Sequence, residues 1–299
     1  MKSINPILRE LGFRPEDRVV VVHADDIGMC QATLPAIDDL MTFGLVTSAS
    51  AMVPCPWFLE VVAWRQQNPH FDLGIHLTLT SEWENFRWGP ISTRAEASGL
   101  VDNQGYFHRT TAAVRRNAGC EAVRLEMRCQ IELAERLGLS PTHVDNHMFA
   151  AMCDEFVEDY LQIGCEREIP AFLTRAHGNS AFDLEWAQKR SLQWERRGQP
   201  VFDHWDVVTR RGSVENHDAF VRHVFDLLPA GLSCVLLHPA IDTPEIRHIT
   251  GEWHSRVADF EAFRQPSLRE HIHNLGIQLI SYQPLRDAMR RLRVKRVSD

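Results

Sequence analysis

The run Val19-Val20-Val21-Val22-His23-Ala24-Asp25-Asp26-Ile27-Gly28 constrains this chain more than any other stretch. Four consecutive β-branched residues predict a short, fully buried strand. Two carboxylates follow where that strand should end, and Gly28 then turns the chain toward a helix. Side chains alternate along a strand, so neighbouring acids at its edge point different ways. One is then able to hold a metal while the other stays free as a base. An aspartate at such a turn also serves as a helix N-cap, and the pair alone does not choose between these roles.

Strand-like and helix-like stretches alternate through all 299 residues. Further strands are predicted over Leu45–Val53, Asp72–Leu79, Thr142–Asp145, Ile169–Thr174, Phe202–Val208, Ser233–Pro239 and Gly276–Ser281. Helices are predicted over Gln31–Phe43, Trp57–Gln67, Cys120–Leu137, Asp154–Gly164 and Ala219–Leu228, with a helical zone over Arg256–Leu275. In the first of these Leu34, Ile37 and Met41 share one face. In the third, Leu125, Cys129, Leu133 and Leu137 make the stripe. Repeated βα units predict parallel strands with helices outside. A distorted (β/α) barrel of about seven to eight strands, TIM-like, fits the length, with a doubly wound open sheet as its rival. The barrel is favoured because polar clusters follow many strands, as residues around one mouth do. The chain reads as a single catalytic domain over 1–299. Residues 81–118 form a long inserted loop region, a lid or subsite wall with short structure of its own.

The formal net charge is −8, and no basic stripe is visible, which argues against a nucleic-acid or anionic-membrane surface. The basic run Arg290–Arg296 reads as a solvated helix end. No apolar stretch approaches the ~20 residues that span a bilayer, and Met1–Glu10 lacks the apolar core of a signal peptide, so the cytoplasm is expected. The seven cysteines include no C-x-x-C pair and read as reduced, mostly buried apolar residues.

The polar clusters are Asp25/Asp26, His76, His143/Asp145/His147 and His238. Each has a plain alternative. His76 lies inside an apolar strand, where a histidine is commonly a hydrogen-bonded core residue. Asp145 suits a helix cap, and His238 before Pro239 suits an ordinary loop. Together, at the C-terminal ends of barrel strands, they converge on one pocket. A carboxylate and two imidazoles there make a metal site with open positions. His143 and His147 would share a face on a helix, but Pro141 and Val144 favour strand and loop, so one of the two reaches the metal.

The chain resembles the YdjC/ChbG-like carbohydrate deacetylases. The resemblance rests on His-Ala-Asp-Asp-Ile-Gly (23–28), Gly-Leu-Val-Thr-Ser-Ala-Ser (44–50), Gly-Ile-His-Leu-Thr-Leu-Thr (74–80), Pro-Thr-His-Val-Asp-Asn-His (141–147), a strand ending in Arg175, and Leu-His-Pro-Ala (237–240). It implies a distorted barrel and one divalent metal on Asp26, His76 and His147, with Asp25 as base. It also implies His238 as acid or charge partner and Arg175 as a substrate or oxyanion contact. The expected reaction removes an N-acetyl group from an amino sugar or oligosaccharide. Asp145 and Trp88 are taken as further substrate contacts, and Trp83, Phe86, Tyr106 and Phe107 either stack on sugars or form local core. Two imidazoles and a carboxylate suit zinc best, with magnesium or another divalent ion as the alternative. The likeness also admits a homodimer.

The family's usual Asn and Phe are replaced by His23 and Ile27, its histidine-rich run is cut to His147-Met148-Phe149, and the loops around 81–118 and 241–255 are longer than in compact members. Competing readings are a metal-dependent amide or ester hydrolase with a non-sugar substrate, and a non-catalytic sugar-binding protein.

Overall fold

A computed structural model describes residues 5–175, 184–210 and 214–298. Among them are strands β1 (Arg18–Ile27), β2 (Ser48–Ala51), β3 (Leu73–Leu77), β4 (Val144–Asn146), β5 (His204–Val207), β6 (Gly231–Leu237) and β7 (Ile277–Leu279). All pairings are parallel and run β4-β3-β2-β1-β6-β5. β7 joins the first residues of β1, Arg18 to Val20, ahead of the point where β2 joins at His23.

The expected strand Ile169–Thr174 is a correction. It forms only two single parallel bridges, Val144 to Ala171 and Thr174 to Phe202. Pro170 has no N–H for a longer ladder. These bridges connect β4 to β5 and complete the distorted barrel. Val19 to Val22 are all fully buried, as a strand covered on both faces must be.

Three other expectations change. The helix Cys120–Arg136 forms, but Leu125 is 52% exposed, and the covered face carries Val123, Glu126, Met127, Gln130, Ile131 and Ala134. Two polar residues occupy that face because they bind backbone. Glu126 accepts the N–H groups of Ile91 and Ser92, and Gln130 bridges both backbone groups of Thr78. The region 241–255 is largely helical, with Pro244–Ile249 and the start of Trp253–Phe263; Pro266 then opens a separate helix, Pro266–Asn274. Only Cys30, Cys55 and Cys234 of the seven thiols are buried.

The 81–118 excursion buries Trp88, Leu100, Val101, Phe107 and Val114, which join the apolar cluster between the sheet and its helices. The basic run near the C-terminus lies in the helix Tyr282–Ser298; side chains from 294 on lie outside the described set.

Asp72 ties β2, the approach to β4 and the last helix together. It accepts Ser48 Oγ at 2.9 Å, Thr142 Oγ1 at 2.6 Å and the Gln283 N–H at 2.7 Å. Burial opposes its charge, but contacts to His143, Thr142 and Ser281 outweigh this and hold its pKa at about 2. The native pKa lies below the unfolded one, so the contribution is present above pH ~4 and lost as pH falls toward 2. Asp72→Asn is therefore expected to cost about 2 kcal/mol at pH 7, with the gap to wild type closing in acid. Urea unfolding across that range checks it; a gap independent of pH contradicts it.

Candidate active site

β1 carries one extra residue against β2 between Ala24 and Ile27, and Asp26 adopts φ 64° there. A bulge of this kind re-aims side chains and is common beside active sites. Left-handed backbone at a non-glycine residue is strained, and Gly28, also at positive φ, completes the turn. The local geometry sends the two adjacent carboxylates to different partners.

Asp26 is 1% exposed. Its Oδ1 lies 3.3 Å from His76 Nε2 and 3.0 Å from His147 Nδ1, and its Oδ2 accepts Arg256 Nη2 at 2.7 Å. Burial opposes this carboxylate's charge, but Arg256 and His147 outweigh it and hold the group well below the usual carboxylate range. Burial likewise opposes charge on the imidazoles. Glu82 and Asp26 nevertheless raise His147 to about 9, and Asp145 and Asp25 raise His76 well above its ordinary value.

Asp25 faces elsewhere. Its Oδ1 is 3.1 Å from His23 Nε2, and its Oδ2 is 3.7 Å from His238 Nε2. His238 follows β6 and is the most open of these groups, with 24% of its side chain exposed. Its Nδ1 is 2.8 Å from Thr209 Oγ1, whose hydroxyl donates to buried Asp259. A hydroxyl that gives its proton to a carboxylate accepts from the imidazole, so His238 carries its proton on Nδ1 when neutral and presents Nε2 to Asp25.

The donor atoms of Asp26, His76 and His147 all lie within 4.8 Å of one another. One carboxylate and two imidazoles, each ring with a nitrogen aimed at Asp26 Oδ1, fit a divalent cation with open positions. Two more groups meet the same distance test, His23/His143/Asp145 and Asp25/His76/Asp145. Both depend on Asp145, whose oxygens are already committed.

Of the expected site residues, Asp25, Asp26, His76, His147 and His238 come together. His147 rather than His143 joins them because it rides on a one-turn 3-10 helix, His147–Phe149, just past β4. His143 stays in the barrel interior, stacked on Tyr282 with ring centres 3.7 Å apart.

Two residues are corrections, and a third is already paired. Asp145 is buried beneath the site and is no sugar contact. Its Oδ1 takes His76 Nδ1 at 2.9 Å, and its Oδ2 takes His23 Nε2 at 2.8 Å and Ser50 Oγ at 2.9 Å. Trp88 is 3% exposed, with its indole N–H on the Thr80 carbonyl at 2.8 Å; it is a core residue, packed in the cluster between the sheet and its helices. Arg175 pairs with Glu195 and, at 2.9 Å, with Asp203. These two ion pairs engage its guanidinium.

The cation at the site is Arg256, from the helix Trp253–Phe263, which the sequence does not single out. It is 230 residues from Asp26 and has no local motif. Glu82 is the second unforeseen member: both its oxygens lie near His147 Nε2, at 3.1 and 3.0 Å. Its place just after the third strand is the one signal that could have found it.

Parallel strands closed into a barrel, with titratable groups at one mouth, define an enzyme-like α/β barrel. The chain belongs to the YdjC-like protein family, whose model matches residues 19–274. It is 32% identical to a carbohydrate deacetylase of Thermus thermophilus, over 88% of this chain and 92% of that one. It is 33% identical to a carbohydrate deacetylase of Enterococcus faecalis, over 90% and 98%. A chitooligosaccharide deacetylase of Yersinia enterocolitica is 25% identical over 89% of this chain and 98% of its own. Among solved structures, a protein of Enterococcus faecalis V583 described as a candidate cellobiose-phosphate cleavage protein has the same fold. It matches with TM-score 0.74 at 23% identity, covering 90% of this chain and 99% of that one.

Proposed function

We infer that this chain is a metal-dependent carbohydrate deacetylase that hydrolyses the N-acetyl group of an amino sugar. The observation that carries the reading is the bulge in β1, which directs Asp26 to His76 and His147 and Asp25 to His238. The relatives named above are carbohydrate and chitooligosaccharide deacetylases, and nearly the full length of each is matched.

Asp26, His76 and His147 would hold the cation, with zinc favoured by the nitrogen-rich donor set. When bound, a divalent ion supplies positive charge to the acetyl carbonyl and lowers the pKa of a water beside it. Arg256 occupies Oδ2 of Asp26 and leaves Oδ1 for the cation. Asp145 holds the Nδ1 proton of His76, so Nε2 keeps its lone pair toward Asp26.

Asp25 removes the proton from the attacking water, steadied by His23 at its far oxygen. His238 in its imidazolium form gives its Nε2 proton to the departing amine and keeps its Nδ1 proton on Thr209, whose hydroxyl is held by Asp259. Substrate enters past His238, the most exposed of these groups. Three free thiols in the core suit a reducing compartment such as the cytoplasm. No helix among the described residues is long and apolar enough to cross a membrane.

The test is an acetate-release assay over N-acetylglucosamine and its oligomers with zinc, magnesium, cobalt or nickel added. Release that a chelator stops and one of these ions restores is the expected result. Hydrolysis confined to non-sugar amides or esters overturns the substrate class; absence of hydrolysis of any substrate overturns the enzyme.

A further inference from the structure

His147 stands between two carboxylates. Its Nδ1 is 3.0 Å from Asp26 Oδ1, and its Nε2 is 3.1 and 3.0 Å from the two oxygens of Glu82. An ionised carboxylate only accepts, and a neutral imidazole has a single N–H. With Glu82 taking the Nε2 proton, the lone pair of His147 stands at Nδ1, facing Asp26. His76 repeats the arrangement with its nitrogens exchanged: Nδ1 on Asp145 at 2.9 Å, Nε2 toward Asp26 at 3.3 Å. Each candidate ligand imidazole thus has its own carboxylate behind it.

The two carboxylates differ in where they come from. Asp145 belongs to the barrel floor in β4. Glu82 belongs to the 81–118 excursion, one residue past Ser81, whose N–H bonds the His108 carbonyl further along the same excursion. Its neighbours are drawn in as well. The Arg256 guanidinium lies 5.7 Å from the Trp83 ring centre, and the Trp88 and His147 rings are 6.2 Å apart. The Glu82 side chain is 19% exposed, so it is built into this wall rather than projecting from a loop.

We propose that Glu82 is a positioning residue of the cation site, fixing the tautomer and ring direction of His147 and making the start of the excursion part of the cation-binding apparatus. The proposal rests on His147 being a ligand, as in the function inferred above. Outer carboxylates of this kind typically change metal affinity ~10–100-fold. Coupling is reciprocal, so cation binding should also steady the segment that carries Glu82.

The experiment measures Zn²⁺ affinity of the intact chain by competition with a chromophoric chelator at fixed pH, for wild type, Glu82→Gln and Glu82→Ala. Hydrogen exchange over residues 82–88, with and without Zn²⁺, is read on the same samples. The expected result is a ~10–100-fold affinity loss in Glu82→Ala and a smaller one in Glu82→Gln, whose amide oxygen still accepts one N–H. Zn²⁺ should protect 82–88 in wild type and not in Glu82→Ala. Wild-type affinity within twofold in both variants, or equal protection in Glu82→Ala, overturns the proposal. If Glu82→Ala fails to fold, Glu82→Gln, of the same size, decides alone. A wild-type chain without Zn²⁺ affinity overturns the ligand reading itself, and normal wild-type affinity with unaffected variants overturns only the role of Glu82.

Discussion

Asp25→Asn is expected to lower kcat for acetate release by ~10²–10⁴ while leaving metal affinity close to wild type. The amide has nearly the carboxylate's shape but cannot take a proton from water. Asp25 touches His23 and His238, whereas the candidate ligand set is Asp26, His76 and His147. Loss of turnover without loss of metal therefore separates base from ligand at adjacent positions in the chain. Steady-state kinetics and a metal titration on the same preparation read both quantities. Unchanged turnover removes Asp25 from the mechanism; loss of the metal as well makes Asp25 part of the ligand shell.

The second large effect is at Asp26, and it has two separable parts. Asp26→Ala removes a ligand, so metal affinity should fall by more than the ~10–100-fold of an outer-shell loss. It also strands Arg256, which is 4% exposed and whose Nε and Nη1 have no partner among the described residues. An unpaired buried charge costs about 3–5 kcal/mol, so the metal-free variant should unfold at markedly lower urea concentration. Asp26→Ala combined with Arg256→Met removes both charges. It should recover most of the stability and none of the metal binding. A double variant as unstable as the single one means that Arg256 is not what Asp26 balances.

What the sequence discloses and what it hides follow from the range of the forces involved. The valine run, the aspartate pair and the histidines at strand ends are local patterns, and each is read within a few residues. The barrel follows from their repetition. The bulge at Asp25–Asp26 is invisible to an alternation rule, which predicts divergence of the two acids but not its route. Arg256 and Glu82 escape because only closure of the barrel brings them to Asp26 and His147. Arg175 is legible only as the end of an expected strand; its ion pairs with Glu195 and Asp203 form on folding and leave no local trace. The stripe on the helix Cys120–Arg136 is misread because Glu126 and Gln130 are buried for their hydrogen bonds, and a purely apolar pattern cannot represent that. Trp88 is legible only as an aromatic in a loop; its burial depends on the fold of the excursion.

The most direct measurement is an anomalous difference map from crystals of the chain loaded with Zn²⁺, recorded on both sides of the zinc absorption edge. The account predicts one strong peak ~2.0–2.2 Å from Asp26 Oδ1, His76 Nε2 and His147 Nδ1, with Asp25 outside bonding distance. A peak among His23, His143 and Asp145 instead, or no peak near β1, contradicts it.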